Sequence, residues 1–226
     1  MAIHPSPEDE ERLVRAFFEN ETTGYFVEVG ANHPTAGSQT WHLEETGWTG
    51  VLIEPQPDLA AFLVTARKAR VFAVACTSPD KAGEALPLSG LDRGRMAAGA
   101  NPTYTIMVPT RTLDSILQEA DAPVPIDLLS VDVEGHEVEV LQGFDFEHWQ
   151  PMLVLVEDHV GSLRTHRYLK SKGYRLLRRL GFNGWYVPAD MPLRSTPQER
   201  REIIRKYYLA LPFRMLRNSF RRIRGR

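Results

Sequence analysis

Short apolar runs closed by turn residues recur along the chain: YFVEVG (25–30), GVLIEP (50–55), RVFAVAC (70–76), IDLLSVDVEG (126–135) and PMLVLVED (151–158). Their length and their Val, Ile and Leu content predict buried strands. Helical periodicity lies between them, at about 38–47, 57–68, 112–120, 136–142 and 161–171. Strands and helices alternating at this spacing predict an α/β fold with a mostly parallel sheet and helices on both faces. Upstream, residues 7–20 read as a helix with Leu13, Ala16 and Phe17 on one face and acids in the first turn. Downstream, YRLLRRL (174–180) and GWYVPA (184–189), joined across Gly181, Phe182 and Asn183, predict a terminal antiparallel hairpin. The stretch 78–110 is less regular and rich in Gly, Pro and Ser. It reads either as an excursion over one edge of an active site or as a surface loop.

Composition adds a boundary. With 226 residues, 42% hydrophobic and 25% charged, the chain suits one folded domain, expected over 1–190 with residues 1–23 as its N-terminal helix. The single cysteine, Cys76, excludes an internal disulfide and sits among apolar neighbours, as a buried strand residue would. The acidic N-terminal stretch lacks the apolar core of a secretory signal, and no run is long enough to span a membrane, so a cytoplasmic location is expected. The net charge of −2 conceals an asymmetry: residues 161–226 hold 18 Lys and Arg against 3 Asp and Glu. A basic end on an acidic body implies an anionic contact. In the tail, 191–226, Phe213, Leu216, Phe220 and Ile223 share one helical face and arginines the other. That pattern suits a helix on an anionic membrane surface, and equally one packed on the body or a second subunit. RNA is less favoured, because no aromatic platform accompanies the arginines.

In a parallel sheet, ligands bind beyond the carboxyl ends of the strands. The loop after the first strand, GANHPTAGS, has Asn32 and Thr35 where a dinucleotide loop of the G-x-G-x-x-G type needs glycines, so a diphosphate is poorly served. Glu28, Gly30 and Asn32 offer instead an acid, one permissive glycine and an amide, which suits the amino acid end of S-adenosylmethionine. Glu54, closing the second strand, is placed to hold ribose hydroxyls. Helix capping by Asn32 or Ser38 and a solvated strand end at Glu54 are the plainer alternatives.

Taken together, FVEVGANHP followed by S-x-T, GWTGVLIEPQPD, TLDSIL and IDLLSVDVEGHEVEVLQGF resemble the successive motifs of the FkbM-type methyltransferases over about residues 24–160. The resemblance implies a Rossmann-like sheet of seven strands with an antiparallel last strand. It also implies S-adenosylmethionine as cofactor and a hydroxyl of a sugar, polyketide or other secondary metabolite as acceptor. Carried over, Glu28, Gly30 and Asn32 belong to the first motif, Glu54 to the ribose-binding acid, and Asp132, Glu134, Gly135 and Glu137 to the D-V-E-G-x-E motif; Ser38, Pro55 and Asp132 complete the expected cofactor contacts. Glu28 stands where many members carry Asp, and Pro34 where they carry glycine.

Methyl transfer to oxygen requires alignment and removal of one proton. Candidate bases are Asp132, Glu157 and His159, with Glu134 and His136 nearby as pocket residues; the acids also suit helix starts without any catalytic task. Asp132, Glu157 and His159 form one candidate set for a divalent cation that would acidify the acceptor hydroxyl. NPTY (101–104) resembles a motif of amino-directed nucleic-acid methyltransferases but precedes the fourth strand, and reads as a turn. The expected activity is O-methylation of a sugar, glycolipid or other small-molecule acceptor. An RNA or protein methyltransferase and a non-catalytic nucleoside-binding scaffold are the alternatives.

Overall fold

The structure, a computed structural model, describes residues 7–90, 104–158 and 163–211. The chain opens with α1 (Pro7–Phe17), then β1 (Tyr25–Val29), α2 (Trp41–Glu44), β2 (Thr49–Ile53), α3 (Pro57–Ala66) and β3 (Arg70–Phe72). Next come β4 (Ala75–Cys76), β5 (Ala85–Gly90), β6 (Tyr104–Arg111), α4 (Leu113–Glu119), β7 (Leu128–Val131), α5 (Glu137–Gln142) and α6 (Phe146–Trp149). The last third holds β8 (Leu153–Glu157), α7 (Arg164–Ser171), β9 (Tyr174–Leu180), β10 (Asn183–Pro188), α8 (Pro197–Ile203) and a π-helical segment, Ile204–Leu209.

Seven strands form one sheet in the order β3-β2-β1-β7-β8-β10-β9. Neighbours from β3 to β8 run parallel, and β10 is antiparallel to both β8 and β9. The last strand in sequence is therefore the reversed one, slotted between β8 and β9, and the hairpin turn is just Gly181–Phe182, since Asn183 already pairs with Leu180.

Side chains of a strand alternate between faces, and β1 shows the consequence. Val27 and Val29 join a core with Leu113, Ile116 and Leu117 of α4, Val140 and Leu141 of α5, and Leu169 of α7. Phe26 joins the opposite core with Val14 and Phe18 of the N-terminal region, Leu43 of α2 and Leu63 of α3. In α1 the inward positions are Glu10, Val14 and, just past its end, Phe18; Ala16, expected on the apolar face, is exposed.

One further expectation is corrected. RVFAVAC is not one strand. The β2 ladder ends where Ile53 pairs Phe72, and the chain then bends so that Ala75 and Cys76 pair with β6. The segment 78–110 supplies β5 and β6, which form with β4 a second sheet of three strands, β5 antiparallel to β6. Among the described residues no helix is long and apolar enough to cross a membrane. Residues 101–103 of NPTY, His159, and the tail positions Phe213, Leu216, Phe220 and Ile223 lie outside the described residues.

Candidate active site

Gly30 ends β1 in the left-handed region, at φ +84°, where a Cβ would stand 1.8 Å from the Asp132 carbonyl oxygen. Only glycine fits so close an approach of two backbones. The chain then turns through Asn32, also left-handed at φ 49°, and the Asn32 N–H donates to Glu54 Oε2 at 2.8 Å while the Gln56 N–H donates to Oε1 at 2.8 Å. Glu54 is thus fixed at the end of β2 with both oxygens oriented. A carboxylate has about four acceptor sites, so further hydroxyl donors can still be received. Its pKa is raised by burial, against the lowering effect of the two backbone donors.

Around these residues lies a cleft of about 320 Å³. Gly30, Asn32, Glu54, Pro55, Asp132, Glu134 and His136, all expected from sequence, line it. Apolar walls come from Ile53, Leu59, Val74 and Ala75, and from Leu86 and Leu88 of the second sheet. Cys76 also lines the cleft, and burial pushes its thiol up to about 12, so it stands there as a neutral group.

Glu28 is not among the lining residues. Alternation along β1 puts it on the Phe26 face, beneath the loop rather than at the strand end. There it accepts hydrogen bonds from Ser38 Oγ (3.0 Å), the Gln39 N–H (2.7 Å) and Thr40 Oγ1 (2.5 Å). Arg67, at the end of α3 and fully buried, lies 3.9 Å from Glu28 Oε2 and 3.2 Å from Glu44 Oε1. It also donates to the Pro34 carbonyl (2.9 Å), Ser38 Oγ (3.1 Å) and Thr40 Oγ1 (3.0 Å). Pro34 therefore contributes its carbonyl to this anchor, and the 34–40 loop is tied from below. Burial raises the Glu28 pKa, while Thr40, Arg67, Gln39 and Ser38 pull it down.

A second cleft, of about 400 Å³, opens on the other side of Asp132. Glu10 and Glu11 of α1, Gly37, Ser38 and Gln39 of the loop, Glu157 at the end of β8, and Leu180 to Asn183 of the hairpin line it. Glu10 is held there by Trp185 Nε1 (2.8 Å) and Asn183 Nδ2 (2.7 Å), which donate to its two oxygens; burial raises its pKa. Asp132 and Glu157 are thus brought together. His136, the residue before α5, lines the first cleft only. Asp132, Glu134 and Glu157 place ligand atoms within 4.8 Å of one another. Among the described residues it is Glu134, left-handed at φ 52°, that completes this group beside Asp132 and Glu157. Sequence reading missed Glu10, Gln39, Phe182 and Asn183. Gln39 enters this cleft with the 34–40 loop, and the other three through the packing of α1 and the β9–β10 turn beside Asp132, which no local motif announces.

A parallel sheet with one reversed strand, a permissive glycine after its first strand and an oriented acid after its second defines the class of Rossmann-like enzymes that bind a nucleoside cofactor. Residues 28–176, more than half of the chain, match the family model described as the methyltransferase FkbM domain. The chain belongs to that family. It is 40% identical over 76 residues to Methyltransferase 1 of Beauveria bassiana (strain ARSEF 2860), a match covering 32% of this chain and 30% of that protein. Among solved structures, it is similar to the methyltransferase FkbM of Methylobacillus flagellatus KT, with a TM-score of 0.47 at 14% identity, over 74% of this chain and 44% of that one. It is also similar to the O-methyltransferase of Bacillus cereus in complex with SAH, with a TM-score of 0.40 at 14% identity, over 82% of each chain. The chain thus spans under half the length of the first two of these relatives.

Proposed function

We propose that this chain transfers a methyl group from S-adenosylmethionine to a hydroxyl of a small-molecule or sugar acceptor, with the cofactor in the cleft of Glu54 and the acceptor in the cleft of Glu157. The observation that carries the reading is that Asp132 lines both clefts. The first cleft offers apolar walls for an adenine ring, the oriented Glu54 carboxylate for ribose hydroxyls, and the Gly30–Asn32 turn for the methionine end. In the reaction the acceptor oxygen bonds to the methyl carbon, the sulfur–carbon bond breaks, and the hydroxyl proton passes to a carboxylate. Asp132 is the base of this proposal, with Glu157 beside it. No Lys or Arg is among the described residues lining the second cleft, whereas four carboxylates are. Such a lining repels phosphate-bearing acceptors and speaks for the small-molecule reading over RNA.

Calorimetric titration with S-adenosylmethionine tests the first half, and transfer of labelled methyl groups to a panel of hydroxylated acceptors the second. A positioned base contributes about 10²- to 10⁴-fold, so Asp132→Asn is expected to lower kcat by that range while cofactor affinity stays near wild type. No heat with the cofactor, or full turnover by the variant, refutes the proposal. The group Asp132, Glu134 and Glu157 favours a second reading of the same chemistry. Three carboxylates this close suit magnesium or manganese, which would acidify the acceptor hydroxyl. Turnover lost to a chelator and restored by either ion supports that reading, and chelator-resistant turnover excludes it.

A further inference from the structure

The segment α8 and its π-helical continuation are docked on the domain by one face. A capping box starts α8, with Thr196 Oγ1 accepting from the Glu199 N–H and the Glu199 carboxylate accepting from the Thr196 N–H. Glu199 also pairs with Arg178 of β9 at 3.1 Å. Tyr207 is 1% exposed and packs with Leu211, Leu163, Leu176 and Ile203. Its hydroxyl donates to Asp158 Oδ2 (3.2 Å) and accepts from Arg179 Nη1 (3.0 Å). Asp158 follows Glu157, and its N–H donates to the Phe182 carbonyl (2.9 Å), so the segment is anchored at the rim of the second cleft.

A helix that has buried one apolar face ordinarily shows water a polar one. This segment instead turns out Ile204, Tyr208 and Leu209, at 50%, 57% and 63% exposure, interleaved with the exposed Arg200, Arg201 and Arg205. Residues 212–226 continue with six arginines and no acid. Apolar anchors with cations among them are the composition of a helix lying in a bilayer interface. There the aliphatic and aromatic groups enter the acyl boundary and the guanidinium groups reach the headgroups. We infer that this face docks on an anionic lipid bilayer. The apolar anchors and the charge together name the occupant: a copy docked through the same face would bring arginines against arginines, whereas an anionic bilayer receives Ile204, Tyr208 and Leu209 in its acyl boundary and gains about 1 kcal/mol for each basic residue near it. The inference stands apart from the methyl-transfer reading and neither requires nor supplies it.

Flotation of the full chain with phosphatidylcholine vesicles, with and without about one third phosphatidylserine, tests it. Binding is expected only with phosphatidylserine and falls as salt rises. Arg201→Gln is expected to weaken partitioning about fivefold, the equivalent of one basic residue. Leu209→Asp is expected to weaken it about tenfold or more, by removing an anchor and adding an anion. All of these positions are exposed, and an unchanged melting curve verifies the fold of each variant. Four results overturn the inference: equal binding to uncharged vesicles, no binding to either kind, variants that partition as wild type does, or vesicle-free self-association or RNA retention that the same variants abolish.

Discussion

Replacing Arg67 by Met tests whether the 34–40 loop is held from beneath. The side chain is fully buried between the Glu28 and Glu44 carboxylates, which are themselves 5% and 2% exposed. Methionine fills most of the volume but removes the charge and leaves both acids in a low-dielectric interior. Glu44 keeps the N–H groups of Lys68 (2.8 Å) and Ala69 (3.1 Å), and Glu28 keeps Ser38, Gln39 and Thr40. The carboxylates therefore stay hydrogen-bonded while losing their counter-charge. Removing one partner of a buried pair costs about 3 to 5 kcal/mol, which at this chain length lowers the melting temperature by roughly 6 to 20 °C. Urea denaturation, extrapolated to water, measures the loss. Arg70→Gln provides the internal comparison, because the Arg70–Glu119 pair is about half exposed on both sides and such pairs contribute about 1 kcal/mol or less. If Arg67→Met costs no more than Arg70→Gln, the buried network does not anchor the loop. Adding Glu28→Gln to Arg67→Met is expected to restore part of the stability, since it removes one of the stranded charges.

Gly30→Ala is expected to abolish binding of S-adenosylmethionine and to destabilise the fold by several kcal/mol, because the new Cβ meets the Asp132 carbonyl and the left-handed φ adds roughly 1 to 2 kcal/mol; calorimetry and denaturation read the two effects, and a variant that binds as tightly as wild type refutes the role of the turn. The pH dependence of stability carries the sign of Glu54. Its pKa is raised by burial above the ordinary value of 4.5, so the folded state holds the proton longer than the unfolded state, and its contribution is present below 4.5 and lost as pH rises through the folded value. Glu54→Gln removes this titration. The stability of wild type relative to the variant is therefore expected to fall as pH rises from below 4.5 through that window, measured by urea denaturation at a series of pH values. A difference that rises instead shows that Glu54 is stabilised as a carboxylate.

Much of the frame was legible because it depends on local pattern. Apolar runs of strand length alternating with helical periodicity specify a parallel α/β sheet. The limits of β9 follow directly from YRLLRRL, whose ends are set by Gly173 and Gly181. Residues at the carboxyl ends of parallel strands converge by topology alone, so Gly30, Glu54 and Asp132, each closing an apolar run, line one cleft. The break in RVFAVAC was not legible, because both halves are apolar and only the end of β2 and the presence of β6 decide where each one pairs.

What the sequence determined by itself, then, was the alternation of strands and helices in the main sheet and the glycine and acid that close its first two strands, both consequences of period and of strand ends. What the tertiary structure alone decided was which way side chains point and which distant segments meet. Glu28 passed from expected cofactor contact to buried anchor because the pleat of β1 directs it at Arg67, thirty-nine positions later in the chain. The second cleft exists because α1 and the β9–β10 turn pack beside Asp132. Contacts between residues so far apart in sequence are set by the burial of shared apolar faces, and no short motif encodes them.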